Sequence, residues 1–195
     1  MEQLTVHGHE GRPVRCVVDE GARGTAIVFP GAFYVPQAPL LWFAHECLAE
    51  RGLGVVEVWW ELPADIGDEE AVEWVHGHAR AVAERWPPDV LVGKSLGTEA
   101  VASLGADVPS IWLTPTLVRE STRRGLAGIT APALAVIGTN DPLAPRELWP
   151  ELPSQAELLE LEGADHGLRV DDPAGTAAVL ARVVDAMRAF LERAL

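Results

Sequence analysis

Ser95 lies in Gly93-Lys94-Ser95-Leu96-Gly97, between the apolar run Val90-Leu91-Val92 and a stretch that opens like a helix at Thr98-Glu99-Ala100. A serine hydroxyl is a weak nucleophile, so an attack on a carbonyl needs help from its surroundings. The hydroxyl must stand clear of the backbone on a tight strand-to-helix turn, with no side chain two residues before or after it. Gly93 and Gly97 meet the second demand and the flanking elements the first, the pattern of a nucleophile elbow. A base must take the proton, and an acid must hold that base in the right tautomer. His166, in Glu162-Gly163-Ala164-Asp165-His166-Gly167, and Asp141, in Gly138-Thr139-Asn140-Asp141-Pro142, each follow an apolar run and suit these roles. Together the three residues have the chemistry for acyl transfer through a covalent serine intermediate.

Each member has a plainer use when taken singly. Gly93-Lys94-Ser95 also ends a phosphate-binding loop, but the glycine required five residues earlier is Pro88. Residues 89–92 form the strand itself, which leaves no loop to wrap a phosphate. Gly-Thr-Asn-Asp-Pro is an ordinary turn or helix cap. Of six histidines, His7 and His9 fall in an opening hairpin, His45 inside a helix, and His76 and His78 on either side of Gly77 in another; all five are expected to be surface or satisfied residues. Asp165, Asp171 and Asp172 are weaker rivals to Asp141, since a residue adjacent to His166 reaches its Nδ1 with difficulty. The order Ser95, Asp141, His166, each on its own strand-end loop, is that of the α/β-hydrolases, and the joint match is more specific than any member.

An oxyanion needs two backbone donors, one after the nucleophile and one from the loop after the third strand. Leu96 and Ala32 occupy those places, the latter in Pro30-Gly31-Ala32-Phe33. Phe33, Tyr34, Trp60 and Trp112 stand at or near strand ends and are candidates to line an acyl pocket. Lys94 admits two readings: it tunes the serine or holds an anionic substrate group, or, more simply, it pairs with Glu57, Glu61 or Glu99. Arg119, Arg123 and Arg124 form the one basic cluster; they select a carboxylate-bearing substrate or, more economically, form a solvated helix face.

The elements that must position these residues alternate. Strands are predicted from Leu4 and at 14–18, joined by a turn at 8–11, then at 25–29, 54–60, 89–92, 110–113, 133–137 and 157–161. Between them the pattern predicts a helix at 39–51 closed by Gly52, a second opened by Asp68-Glu69-Glu70 and stopped by Pro87-Pro88, a third after the elbow, and a last one from Asp172-Pro173. Residues 114–130 carry no clear assignment. Alternation of this kind predicts an α/β fold with a mostly parallel sheet covered on both faces, and a site at the carboxyl ends of its strands.

Composition narrows the partners. At 195 residues the chain suits one domain, 1–195, burying roughly 70% of its unfolded surface. A formal charge of −14 repels nucleic acid and anionic membrane surfaces. No apolar run approaches the roughly 18 residues of a membrane helix, and the start of the chain lacks a basic and then apolar leader, so a cytoplasmic location is expected. Cys16 and Cys47 fall in separate elements without Cys-x-x-Cys spacing, which predicts buried free thiols and no metal or redox motif.

Phe29-Pro30-Gly31-Ala32, Val92-Gly93-Lys94-Ser95-Leu96-Gly97, Gly138-Thr139-Asn140-Asp141-Pro142 and Gly163-Ala164-Asp165-His166 together resemble the small, lidless α/β-hydrolases related to dienelactone hydrolase, over nearly the whole chain. The resemblance implies an α/β-hydrolase fold with about eight strands and no cap domain. It further implies hydrolysis of esters or related acyl bonds in a small-molecule substrate, without a cofactor. Two positions bear on the match: residue 95 is serine where that family can use cysteine, and Pro30-Gly31 stands where many members carry His-Gly. Carboxylic ester hydrolysis is the first expectation. Thioester or peptide hydrolysis and acyl transfer use the same residues, and a non-catalytic binding protein can share the fold.

Overall fold

Thr25-Ala26-Ile27-Val28-Phe29 is apolar at four of five positions, and four of the five are buried, as expected of a strand covered on both faces. In the computed structural model, which describes residues 1–105 and 107–195, this strand is the hinge of the topology. The strands are β1 (Glu2–His7), β2 (Pro13–Asp19), β3 (Thr25–Phe29), β4 (Gly54–Trp59), β5 (Val90–Lys94), β6 (Ser110–Leu113), β7 (Ala133–Gly138) and β8 (Ala156–Leu161). The helices are α1 (Pro39–Glu50), α2 (Asp68–Arg85), α3 (Gly97–Leu104), α4 (Glu120–Ala127) and α5 (Pro173–Ala194).

All eight strands form one sheet in the order β1-β2-β4-β3-β5-β6-β7-β8. Only β2 runs against its neighbours; the other pairings are parallel. From β3 the chain crosses to β4 on one side and then returns past β3 to β5 on the other. Crossovers of one hand therefore send α1 and α2 to opposite faces, and the loops leaving β3 and β5 diverge at the carboxyl edge. Alternate residues of each strand feed two cores. Val28, Val92 and Leu113 pack with α1 and α5, whereas Ile27, Leu91 and Trp112 pack with α2, α3 and α4. Among the described residues each crossover of the parallel sheet carries at most one full helix, and none is enlarged into a cap.

Helix α4 occupies part of the stretch the sequence left unassigned. Its sequence Glu-Ser-Thr-Arg-Arg-Gly-Leu-Ala buries only Thr122 and Leu126, too few apolar positions to show a period. It docks through Gly125, where a Cβ would come within 2.2 Å of Ala102 on α3.

Two buried histidines behave differently. His78 on α2 is fully buried, packs its ring edge-on at 4.1 Å from Trp74, and has no hydrogen-bond partner on either nitrogen among the described residues. That corrects the expectation of a surface or satisfied residue: the turn at Gly8 covers it, and burial foremost pushes its pKa down to about 4, so it is neutral. His45 on α1 is satisfied as expected. Its Nδ1 meets Glu57 at 2.9 Å and its Nε2 lies 3.5 Å from Asp19. The hydrogen bond to Glu57 raises its pKa above the ordinary 6.5, against the opposing effect of burial and with help from Asp19. The stability this cation contributes is therefore complete below the ordinary histidine value and is lost as pH rises through the raised one. His45→Leu leaves the buried Glu57 carboxylate with the Trp59 ring N–H at 3.2 Å and no cation, and is expected to cost about 3 kcal/mol at about pH 6. Urea denaturation should show that deficit shrinking as the solution is made alkaline.

Candidate active site

The elbow is built by close approach. A Cβ at position 97 would stand 2.2 Å from the Phe29 carbonyl oxygen on β3, and one at position 93 would stand 2.5 Å from the Gly97 oxygen. Both are contacts that no side chain tolerates. Between them Ser95 adopts φ 53°, a left-handed conformation that L side chains rarely take. Three hydrogen bonds hold it there. Its amide donates to Leu113 on β6 at 2.9 Å, and its carbonyl accepts from the Thr98 amide at 2.8 Å and the Thr98 hydroxyl at 2.6 Å.

The residues from the three strand-end loops meet. Ser95 Oγ lies 2.7 Å from His166 Nε2, and His166 Nδ1 lies 2.9 and 2.8 Å from the two carboxylate oxygens of Asp141. With Nδ1 donating to the carboxylate, Nε2 is left free to accept from the serine hydroxyl. Asp141 is buried, and its Oδ1 also accepts from the Leu143 amide at 2.9 Å. The loops after β7 and β8 are stitched together: Asn140 N donates to the Ala164 carbonyl at 3.0 Å and Gly163 N to the Thr139 hydroxyl at 2.7 Å. Two of the rival acids have other work. Asp165 closes the turn around His166 by accepting from Gly167 N at 2.7 Å and Arg169 N at 2.9 Å, and Asp172 caps α5 by accepting from Gly175 N at 2.8 Å.

Ser95 opens on a cavity of about 610 Å³ bordered by both Ala32 and Leu96. Leu96 is the N-cap of α3, and the Thr98 and Glu99 amides of the first turn donate to the Ser95 and Leu96 carbonyls at 2.8 and 3.0 Å. Leu62, Ile66, Val118 and Leu143 give the cavity apolar walls that sequence patterning missed. Each lies on a loop leaving β4, β6 or β7, which was the available signal, but loops carry no periodicity to pick out a lining residue. Phe33 projects fully into solvent and separates this cavity from a neighbouring cleft of about 410 Å³ lined by Tyr34 and Trp60.

Two expected lining residues lie elsewhere. Trp112 is 1% exposed, on the α2 and α3 side of the sheet, with its ring N–H donating to Ser110 Oγ at 2.8 Å; strand alternation turns it into the core. Lys94 is 4% exposed and borders neither space. Nor does it pair with Glu57, Glu61 or Glu99. Glu57 is taken by His45, and Glu99 accepts from Ser121 Oγ at 2.8 Å and Thr122 Oγ1 at 2.5 Å, with His76 at 3.5 Å. Burial opposes ionisation of Glu99, but these partners hold its carboxyl below the ordinary range. Lys94 Nζ instead donates to the His166 carbonyl at 3.3 Å.

The arginine cluster divides. Arg119 borders the Ser95 cavity and pairs with Asp68 at 2.9 Å across its mouth. Arg123 donates to the Leu117 carbonyl at 2.5 Å and pairs with Glu151 at 3.3 Å, while Arg124 lies on the exposed face of α4 against Glu120. Cys16 and Cys47 are free and buried, and burial pushes their thiols up to about 12 and about 11. Among the described residues no cluster of His, Cys, Asp and Glu has the makings of a metal site, and no helix is long and apolar enough to cross a membrane.

No family model and no curated protein matches the sequence. Solved structures do match over almost full length. An α/β serine hydrolase homologue from Coxiella burnetii is 19% identical, with a TM-score of 0.67 over 96% of both chains. A serine hydrolase without a lid from Xanthomonas campestris is 20% identical, with a TM-score of 0.65 over 98% of this chain and 94% of that one. Est1E from Butyrivibrio proteoclasticus is 16% identical, with a TM-score of 0.73 over 99% and 98%. The chain has the α/β-hydrolase fold.

Because the Gly97 contact is with backbone on β3, neither side can move aside. Gly97→Ala is expected to destabilise the protein by about 2 kcal/mol or more in urea denaturation, well beyond the effect of an ordinary glycine-to-alanine change in a helix.

Proposed function

We propose that the protein is a single-domain serine hydrolase that cleaves a carboxylic ester, or a closely related acyl bond, of a small-molecule substrate. The observation that carries this is the continuous chain of contacts from Ser95 Oγ through both ring nitrogens of His166 to the buried carboxylate of Asp141, opening on a cavity. The serine oxygen attacks the carbonyl carbon as its proton passes to His166 Nε2, and Asp141 stabilises the imidazolium. The amides of Ala32 and Leu96 receive the negative charge that develops on the carbonyl oxygen. Collapse of the tetrahedral intermediate breaks the bond to the alcohol, which takes the proton from Nε2 and leaves an acyl-serine. Water then attacks with His166 again as base, releasing the acid and restoring the serine hydroxyl.

The apolar walls at Leu62, Ile66, Val118 and Leu143 suit one arm of an ester, and the cleft beyond Phe33, with Tyr34 and Trp60, suits the other. The folds compared above add support, since they include a lidless serine hydrolase and a protein, Est1E, solved with ferulic acid bound.

Only a base-activated serine reacts readily with an electrophilic phosphonate. Incubation with a fluorophosphonate is expected to add one adduct, located by mass spectrometry on the peptide containing Ser95. The adduct should nearly vanish in His166→Ala. Folded wild-type protein that stays unlabelled would identify a binding protein on this fold. Asp141→Asn should keep the fold by circular dichroism while kcat on a p-nitrophenyl ester falls by about 10⁴ through the wrong imidazole tautomer, whereas Asp172→Asn should leave kcat within about twofold.

A further inference from the structure

Lys94 is the last residue of β5, directly before the nucleophile, and it is a buried cation at 4% exposure. Among the described residues no carboxylate forms an ion pair with it. Its Nζ donates to the backbone carbonyl of His166 at 3.3 Å and lies 5.0 Å from the centre of the Tyr34 ring. Tyr34 is itself fixed, since its hydroxyl accepts from the Leu40 amide in the first turn of α1 at 3.0 Å. One ammonium thus touches the loop that carries the base and the loop that carries Ala32, from beneath the elbow. An ammonium held by a single neutral carbonyl and a ring face regains only part of its lost hydration. Methionine would fill the same space without that penalty, so packing alone does not account for a lysine here.

We propose that Lys94 is a positioning residue: its ammonium holds the His166 backbone and the Tyr34 loop in the arrangement that brings Nε2 onto Ser95, and turnover falls when that ammonium loses its proton. The inference rests on the serine-hydrolase function proposed above. Lys94 contacts neither the cavity nor the reacting atoms, so it acts through His166. The titratable groups around it are Asp141 from the loop after β7, Asp165, His166 and Arg169 from the loop after β8, and Tyr34 from the loop after β3. Burial foremost lowers its pKa from 10.5 to about 8, with Asp141 and Asp165 working against that and Arg169 adding to it. Loss of the proton weakens a charge-assisted hydrogen bond and removes the cation from the Tyr34 face together. A lowered lysine value also means that the charged form destabilises the fold below about pH 8, and that this handicap fades as pH rises from there towards 10.5.

The test compares wild type, Lys94→Met and Lys94→Gln by kcat and KM on p-nitrophenyl acetate from about pH 6 to about pH 9, with thermal midpoints and fluorophosphonate labelling rates at Ser95 alongside. Wild-type kcat is expected to fall around pH 8 as the ammonium loses its proton. Lys94→Met should keep KM within about twofold, lose roughly ten- to a hundredfold in kcat and labelling rate, and show no alkaline fall. Lys94→Gln, a neutral donor, should recover part of kcat, also without the alkaline fall. At neutral pH the methionine variant should melt no lower than wild type. A wild-type kcat and alkaline limb in Lys94→Met, a change confined to KM, or a lowered midpoint with equal loss in both variants would overturn the proposal. If wild type labels at Ser95 and the methionine variant labels equally fast, the hydrolase function stands and the role of Lys94 fails. Wild type that neither labels nor turns over ester removes both.

Discussion

The approach of Gly97 to the Phe29 carbonyl oxygen sets the geometry of everything around it. Because α3 begins in contact with β3, the chain leaving β5 has only Ser95 and Leu96 in which to reverse, and Ser95 takes positive φ. The strained residue is Ser95, and its amide and carbonyl are both tied down, so the strain is stored by neighbours and cannot relax by rotation. Packing in the middle of the sheet therefore becomes an orientation of one hydroxyl at its edge.

The same edge collects buried charge. Asp141, Glu99 and Lys94 are all under 5% exposed, and all lie within a few residues of a strand end or of the elbow. Asp141 has the partners that a buried carboxylate requires, a histidine and an amide, whereas Glu99 takes two hydroxyls on Oε1 and leaves Oε2 3.5 Å from His76 without a hydrogen bond among the described residues. Glu99 ties α3 to α2 and α4, so the helix whose first turn carries the Leu96 amide cannot slide. Lys94 is less well provided for, and its two contacts are with the loops that carry His166 and Ala32. Polar groups near the elbow are thus arranged for position, while buried polar side chains away from it include the His45–Glu57 pair and His78.

The loops after β7 and β8 show how two catalytic candidates from distant positions are kept in register. Gly138 lets the Ala164 backbone approach so closely that a Cβ there would lie 2.2 Å from its oxygen, and backbone hydrogen bonds then join the two loops along their length. Asp165, next to His166 in sequence, spends its carboxylate on closing the turn. Its carboxylate is thus occupied, whereas Asp141 reaches His166 Nδ1 from across the sheet.

What the sequence determined by itself was local or cumulative. Glycines at 93 and 97 around a serine, apolar runs long enough to be strands, and helix signals between them specify the elbow and the alternating order without reference to anything distant. The order of Ser95, Asp141 and His166 followed from the same reading, because strand-end loops of a parallel sheet share one edge. What only the tertiary structure decided depended on which face a side chain took and what lay across from it. Trp112 sits one residue from the carboxyl end of β6 yet turns into the core, Lys94 faces a backbone carbonyl and a ring in place of the carboxylates that its charge suggested, and α4 forms through docking on α3 with almost no periodicity of its own. The physical reason is that backbone propensity and burial pattern are written in neighbouring residues, whereas the partner of a buried polar group is chosen by whichever element the fold brings within about 3 Å.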